Sequence, residues 1–274
     1  MSKRNNFFGS KTSLTARTIA FLAATGISDT TIANALNTMD LALIANGLDT
    51  KMKALYPFVG GTATTHKFNF MNPADTNAAH RIFWAGGITH SATGVLFNGT
   101  TGYGNTNIIP STTFSSLATS AICYYSRTSA IVNGQRDFSA FTSSGPPSMS
   151  IGTNTGAFIS DNLYYATNRL SAAIANALGL LMGSRVSTTD HRTFKNGVQI
   201  GSTDVADNGP QPGLPTIPLF IGAANVSASG ATSASNFSTK EVSFAAASDG
   251  LTTTEAANLY TLVQNLQTSL SRNV

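Results

Sequence analysis

The spacing of apolar and polar positions changes period three times along the chain. From Ser13 to Thr25, Leu14, Thr18, Phe21 and Leu22 recur at helical spacing, and Gly26 followed by Ile27 supplies a left-handed cap. Ser28-Asp29 starts a second helix with Ile32, Leu36, Met39 and Leu43 along one face, closed by Asn46-Gly47-Leu48. A third short helix is predicted over residues 49–55, stopping before Pro57. From Thr62 the period falls to two. Short strands are expected over 66–70, 81–84, 94–97, 120–127, 138–142, 148–151, 157–160, 163–166, 218–223 and 240–246. Residues 168–178 fit either a strand or a helical turn. The helical period then returns: Thr252 and Glu255 form a capping box, Leu251 is placed to staple to Ala256, and Leu259, Val263, Leu266 and Leu270 share a face.

Residues 180–202 are the sharpest local signal, reading as three strands joined by two tight turns. Asn196-Gly197 supplies the two positions that tolerate positive φ in a type I′ turn, between the alternating runs Arg192-Thr193-Phe194 and Val198-Gln199-Ile200. A hairpin cannot bury its apolar face alone, so this one belongs to a larger sheet packed on a second layer. An antiparallel sandwich follows, with a helical preface. The Met and Leu stripe of the second helix is core packing.

Composition narrows the reading further. At 274 residues the chain can build one large sandwich without a disulfide or metal staple. The single cysteine, Cys123, lies in the apolar run Ala121-Ile-Cys-Tyr-Tyr125 and reads as a buried thiol, which leaves the redox compartment open. Only 10% of residues are charged, against about 25% in ordinary soluble domains. The net charge of +4 reflects scarce acids rather than a basic patch, so no specific nucleic acid is expected. No apolar run approaches the ~18 residues that span a bilayer, so no membrane insertion is expected. The short run Ile19–Ala24, behind a long polar lead and Arg17, reads as mature sequence. The sequons at Asn98, Asn225 and Asn236 accordingly carry no weight.

Candidate chemistry is sparse. Glycoside hydrolysis would take two facing carboxylates; Glu255 is absorbed by the cap, Glu241 has no acidic neighbour, and the ten aspartates are scattered. His66, His80, His90 and His191 have no metal-ligand spacing, and no metal or cofactor is expected. Asp190-His191 beside Ser187-Thr-Thr189 has the residue types of a hydrolase triad but reads as a turn. Gly99–Gly104 lacks the lysine of a phosphate loop. An enzyme is therefore not expected. Glycan recognition favours exposed rings. Tyr103, between Gly102 and Gly104, is the best loop candidate, with Trp84 and Tyr125 beside it; in Tyr124-Tyr125 and Tyr164-Tyr165, alternation sends one ring to each sheet face. Residues 1–12 have no periodicity and are expected to form a flexible arm. Within it Phe7-Phe8 seek a pocket on this domain or on a neighbouring subunit, with Lys3, Arg4 and Lys11 as polar contacts.

The order of signals from Gly94 resembles the concanavalin A-like, laminin-G-like jelly roll. The matching pieces are Gly94–Tyr103, Ile122–Arg127, Phe194–Gly201 and Leu219–Ala223, which together lie within about two thirds of the chain. Two further stretches, Lys51–Phe70 and Ser248–Tyr260, resemble jelly-roll structural proteins of tailed bacteriophages. The expected fold is mainly β, a concanavalin A-like jelly-roll β-sandwich with an N-terminal helical segment and a C-terminal helix. Its expected divisions are an arm at 1–12, a helical segment at 13–58 and the sandwich with its C-terminal helix at 59–274. The resemblance implies a non-enzymatic virion component in head decoration, a head fibre or the tail, anchored through its arm on capsid or tail subunits and forming homo-oligomers. The alternative is a glycan-binding module for attachment to a host surface. A polysaccharide-degrading enzyme ranks behind both, because the Glu-x-Asp-x-x-Glu strand motif of the superfamily's glycosidases is missing here.

Overall fold

The computed structural model of the chain describes residues 13–114, 119–142, 145–162, 169–205, 214–227 and 233–274, with side chains at all of these except 142, 145–147, 161, 162 and 204. The expectations for the arm residues Lys3, Arg4, Phe7, Phe8 and Lys11, for the strand at 163–166 and for Tyr164-Tyr165 lie outside the described residues.

Two helices come first, α1 (Ala16–Thr25) and α2 (Thr30–Ala45), then β1 (Met52–Tyr56) and the single turn α3 (Ala63–His66). Four short strands follow, β2 (Phe83–Ala85), β3 (Ile88–Ser91), β4 (Gly94–Phe97) and β5 (Tyr103–Asn105), and then the turn α4 (Pro110–Thr113). The body of the sandwich is β6 (Ser120–Ser126), β7 (Gln135–Thr142), β8 (Gly145–Asn154), β9 (Ala157–Asn162), β10 (Leu170–Ala173), β11 (Gly179–Ser187), β12 (Asp190–Lys195) and β13 (Val198–Asp204). The chain closes with β14 (Phe220–Ile221), β15 (Ala224–Asn225), β16 (Ala234–Ser235), β17 (Glu241–Ser248) and α5 (Thr253–Ser269).

These strands form two sheets. The first runs β13-β12-β11-β6-β17-β4-β3, with β1 paired to β17; the second runs β10-β9-β8-β7-β14-β5-β2, with β15 and β16 added beside β7. Pairing is antiparallel apart from the two-residue bridge of β15 to β7. The chain is a jelly-roll β-sandwich, mainly β, with the helical segment and the C-terminal helix that the pattern predicts.

The central strands of the first sheet are buried on both faces. Along β6, Ile122 and Tyr124 point into the core between the sheets, where they meet Phe138, Met149, Ile151 and Phe158. Ala121, Cys123 and Tyr125 point the other way, into a second core with Phe21, Leu36, Met39 and Leu43 of α1 and α2 and Leu259, Val263 and Leu266 of α5. The order of layers is helices, first sheet, second sheet. Burial pushes the Cys123 thiol up to about 12, as an inert core position requires.

The local punctuation acts as expected. Gly26 takes φ 70° and donates its N–H to Leu22, Asp29 caps α2, and Thr252 with Glu255 completes the capping box of α5. Asn196 and Gly197 both have positive φ and fix the β12–β13 register. Residues 168–178 contain the strand β10 rather than a helical turn.

Two expectations are corrected. Residues 49–55 do not form a helix, since Met52–Tyr56 pairs with Ser248–Ala245 of β17 around a bulge. The bulge places Met52 and Leu55 in the helical-layer core and Ala54 and Tyr56 in the sandwich core, a spacing that imitates a helix. Residues 66–70 are not a strand either. His66 ends α3, and the Asn69 side chain accepts the Leu55 N–H at 2.9 Å, taking the place of a ladder partner.

Candidate functional site

The three predicted binding aromatics occupy three different environments. Tyr125 is fully buried under α5; its hydroxyl donates to Gln264 Oε1 (2.9 Å) and accepts the Val274 N–H (3.2 Å). Alternation sends Tyr124 and Tyr125 to opposite faces, but the second sheet covers one and the helices the other, so both rings are buried. Tyr124 donates to Asp137 at 2.7 Å inside the sandwich.

Trp84 lies on β2 facing inward. Its ladder partner is Gly104, where a Cβ would sit 2.5 Å from the indole, so a bare backbone lets the ring lie against β5. The indole meets His90 edge-on at 4.9 Å, lies 5.9 Å from Phe58, and donates Nε1–H to Ala63 O (3.2 Å). This cluster closes one end of the sandwich. His66 Nε2 accepts the Gly61 N–H (3.2 Å), so the His66 proton sits on Nδ1 and is donated to His90 Nδ1 (3.0 Å). Burial, then the charges of His90 and Arg272, push His66 down to about 3. Arg272 donates to Phe58 O (2.8 Å) and Pro57 O (3.0 Å), tying the C-terminal segment to the positive-φ residues Phe58, Gly60 and Gly61. A cleft of about 620 Å³ opens beside this loop, lined by Ile27, Asp29, Val59, Thr65 and Arg272 among others.

Tyr103 faces outward from the second sheet and stacks on Phe220 with centroids 4.5 Å apart and planes 21° from parallel. The ladder pairs Phe83 with Asn105, Asn105 with Phe220, and Ala85 with Tyr103, so these side chains share the outer face, opposite Ile82, Trp84 and Ile221. Phe83 is 64% exposed at the sheet edge. Phe83 was not among the candidate aromatics, although the alternation of Arg81-Ile-Phe-Trp84 points it away from its neighbours Ile82 and Trp84.

Nine of the twelve acidic side chains are described, and each is engaged. Asp29 caps α2. The others pair with cations: Asp40 and Asp49 with Arg17, Asp75 with Lys67 and Arg81, Asp137 with Lys240, Asp190 with Arg192, Asp249 with Lys53, Glu241 with Arg127, and Glu255 with Lys51. Among the described residues no group of three or more His, Cys, Asp or Glu gathers as a metal set would. His191 Nε2 lies 3.0 Å from Ser160 Oγ, but both are buried and no described group orients His191 Nδ1. Asp190 is held by Arg192 instead, so a triad does not assemble.

No protein-family model matches the chain, nor does any curated protein. Among solved structures it is similar to domain 4 of AbnA, a GH43 extracellular arabinanase from Geobacillus stearothermophilus in complex with arabinotriose (16% identity, TM-score 0.43, covering 76% of this chain and 98% of that one). It is also similar to the binding domain of Paraclostridial Mosquitocidal Protein 1 (9% identity, TM-score 0.49, 78% and 52%). A third is the receptor binding domain of botulinum neurotoxin C/D mosaic serotype (8% identity, TM-score 0.49, 78% and 51%). The chain spans about half the length of the two toxin chains.

Proposed function

We propose that this chain is a non-enzymatic structural protein of a tailed-phage virion, serving in head decoration, a head fibre or the tail. The observation that carries the reading is the meeting of Lys51–Phe70 and Ser248–Tyr260, the two stretches that resemble phage structural proteins. Met52 pairs with Ser248, the Asp249 N–H donates to Lys51 O (3.0 Å), and ion pairs join Lys53 to Asp249 (2.8 Å) and Lys51 to Glu255 (2.6 Å). Two resemblances far apart in sequence thus form one brace between β1, β17 and α5, which favours a single inherited unit over two chance likenesses.

Charge adds a second support. Lys3, Arg4 and Lys11 place three positive charges and no acid in residues 1–12, leaving 13 basic against 12 acidic residues in the rest (16 − 3 = 13). The body is nearly neutral, and its described acids are engaged internally, so neither a carboxylate pair nor a charged docking face stands ready among the described side chains. In this reading the arm, with Phe7-Phe8 as apolar anchors, holds the chain on capsid or tail subunits, and copies of the chain pack as a homo-oligomer. Mass spectrometry with copy-number estimation on purified particles tests it. Many copies per particle are expected for head decoration and few for a fibre or the tail; absence from particles rejects the reading. A chain lacking residues 1–12 should fail to incorporate, and unchanged incorporation rejects the anchor.

A further inference from the structure

We infer that the outer face of the second sheet, at its β5–β2 edge, binds a neutral oligosaccharide; this rests on the reading above only in taking the chain to be non-catalytic. Phe83 is the first ground. It is an aromatic ring left 64% exposed on a three-residue edge strand whose neighbours Ile82 and Trp84 are both turned inward. Tyr103 is the second. Its ring is braced from below by Phe220, and its hydroxyl has no hydrogen-bond partner among the described residues. Phe83 and Tyr103 are diagonal neighbours across the ladder, about 7–8 Å apart at Cα, close enough for consecutive sugars to cover both.

The surroundings are fixed before any ligand arrives. In the loop above Tyr103, Asn98 Oδ1 accepts the N–H groups of Thr100, Thr101 and Gly102 at 3.0, 2.9 and 3.0 Å. A Cβ on Gly86 would lie 1.9 Å from Thr101 O, so this loop and the β2–β3 turn interlock backbone to backbone. The exposed Thr100 therefore projects from a rigid rim, which lowers the ordering cost of binding. At the other end of β5, Asn107 donates its N–H to Asn105 Oδ1 (2.9 Å) and borders a groove of about 770 Å³ that is also lined by Asn77, His80, Thr112 and Thr113. That groove, which Met52 and Lys53 of β1 also line, offers amides and hydroxyls at the end of β5 away from the rim.

Charge selects the ligand class. Arg81, at the head of β2, is held by Asp75 and Asn77, and Lys53 in the groove by Asp249. The described residues of this face present no unpaired cation for an anionic glycan or a phosphate backbone.

Calorimetric titration of the full chain with maltohexaose, cellohexaose, laminarihexaose and mannohexaose, with oligosialic acid as the anionic comparator, tests the site. The expected result is saturable binding of at least one neutral hexasaccharide. Phe83→Ala should weaken it about tenfold or more at unchanged melting temperature. Tyr103→Phe, which keeps the stack on Phe220, should weaken it less, and Val198→Ala, on the first sheet, should leave it intact. No saturable neutral binding up to about 10 mM, binding of the anionic comparator alone, or full affinity in Phe83→Ala overturns the site. A chain present in particles without glycan binding removes this site and leaves the virion reading standing; binding by a chain absent from particles does the reverse.

Discussion

Asp137 and Lys240 form a fully buried ion pair between the sheets, and their removal offers the most direct test of how the sandwich is held. Lys240 Nζ lies 3.2 Å from Asp137 Oδ1 and donates to Gln135 Oε1 (3.1 Å) and Thr153 Oγ1 (3.0 Å). The carboxylate also accepts from Tyr124 (2.7 Å) and Ser238 (2.5 Å). Burial, and then the Asp137 charge, hold the Tyr124 phenol well above its ordinary range, so it remains a donor. Asp137→Ala leaves two hydroxyls without acceptors, at about 1 kcal/mol each, and strands an ammonium that keeps only neutral acceptors. The expected loss is about 3–5 kcal/mol. For a chain of this length that corresponds to roughly 5–10 °C in melting temperature. Asp137→Leu combined with Lys240→Met removes both charges at once and should recover most of the loss, because the desolvation of each ion disappears with it. Calorimetry and urea unfolding of Asp137→Ala, of Asp137→Leu and Lys240→Met singly, and of the double variant decide the matter. A loss under about 1 kcal/mol in Asp137→Ala, or a double variant no better than the worse single, refutes the argument.

Acid should destabilise the fold before its carboxylates titrate. His66 and His191 are depressed by burial, His66 to about 3, so the unfolded chain binds more protons than the folded one below about 6.5. Stability is therefore fully present above that value and is lost as pH falls, by up to about 1.4 kcal/mol per pH unit for each such histidine; urea midpoints between pH 7 and 5 measure the slope, and His66→Gln should flatten it. Gly104→Ala drives a Cβ into the indole and should cost about 1–3 kcal/mol, with a shift in the fluorescence of Trp84, the single tryptophan. Thr252→Ala removes the cap of α5 and should cost about 1 kcal/mol in urea unfolding.

What the sequence made legible was what local chemistry decides. Gly26, Asp29, the Asn196-Gly197 turn and the Thr252/Glu255 box each act over three or four residues, so their effect can be read without knowing the fold. The strand at Met52–Tyr56 could not be read that way, since its partner lies almost two hundred residues away and its bulge turns a strand's alternation into a helix's spacing. Tyr125 failed as a ligand residue for a related reason. Alternation tells which residues part company across a sheet, not that a helical layer waits on the far side. The same alternation, followed through Ile82, Phe83 and Trp84, would have found the exposed ring.

The layer order gives the molecule a direction. α1 and α2 lie outside the first sheet, and Thr15, just before α1, is tied to α2 by its N–H to Asn37 Oδ1 (2.8 Å) and its hydroxyl to Asp40 (2.6 Å). The described chain therefore begins on the helical side. The middle strands of the first sheet are buried on both faces, and its exposed apolar side chains, Leu96 and Val198, lie on the outer strands β4 and β13. On the second sheet the outer row runs from Phe83 through Asn105 and Phe220 to Ser139 and Ser150; along this row Phe83 is exposed and the two serines are buried. An arm that anchors the chain on a particle would thus hold it by the helices, with the Phe83 edge two sheet layers away, roughly 10 Å for the sheet spacing alone. Anchoring and glycan recognition are then separable. A bulky N-terminal fusion should block incorporation while leaving hexasaccharide binding intact, Phe83→Ala should do the opposite, and loss of both functions in either variant would show that the two faces are not independent.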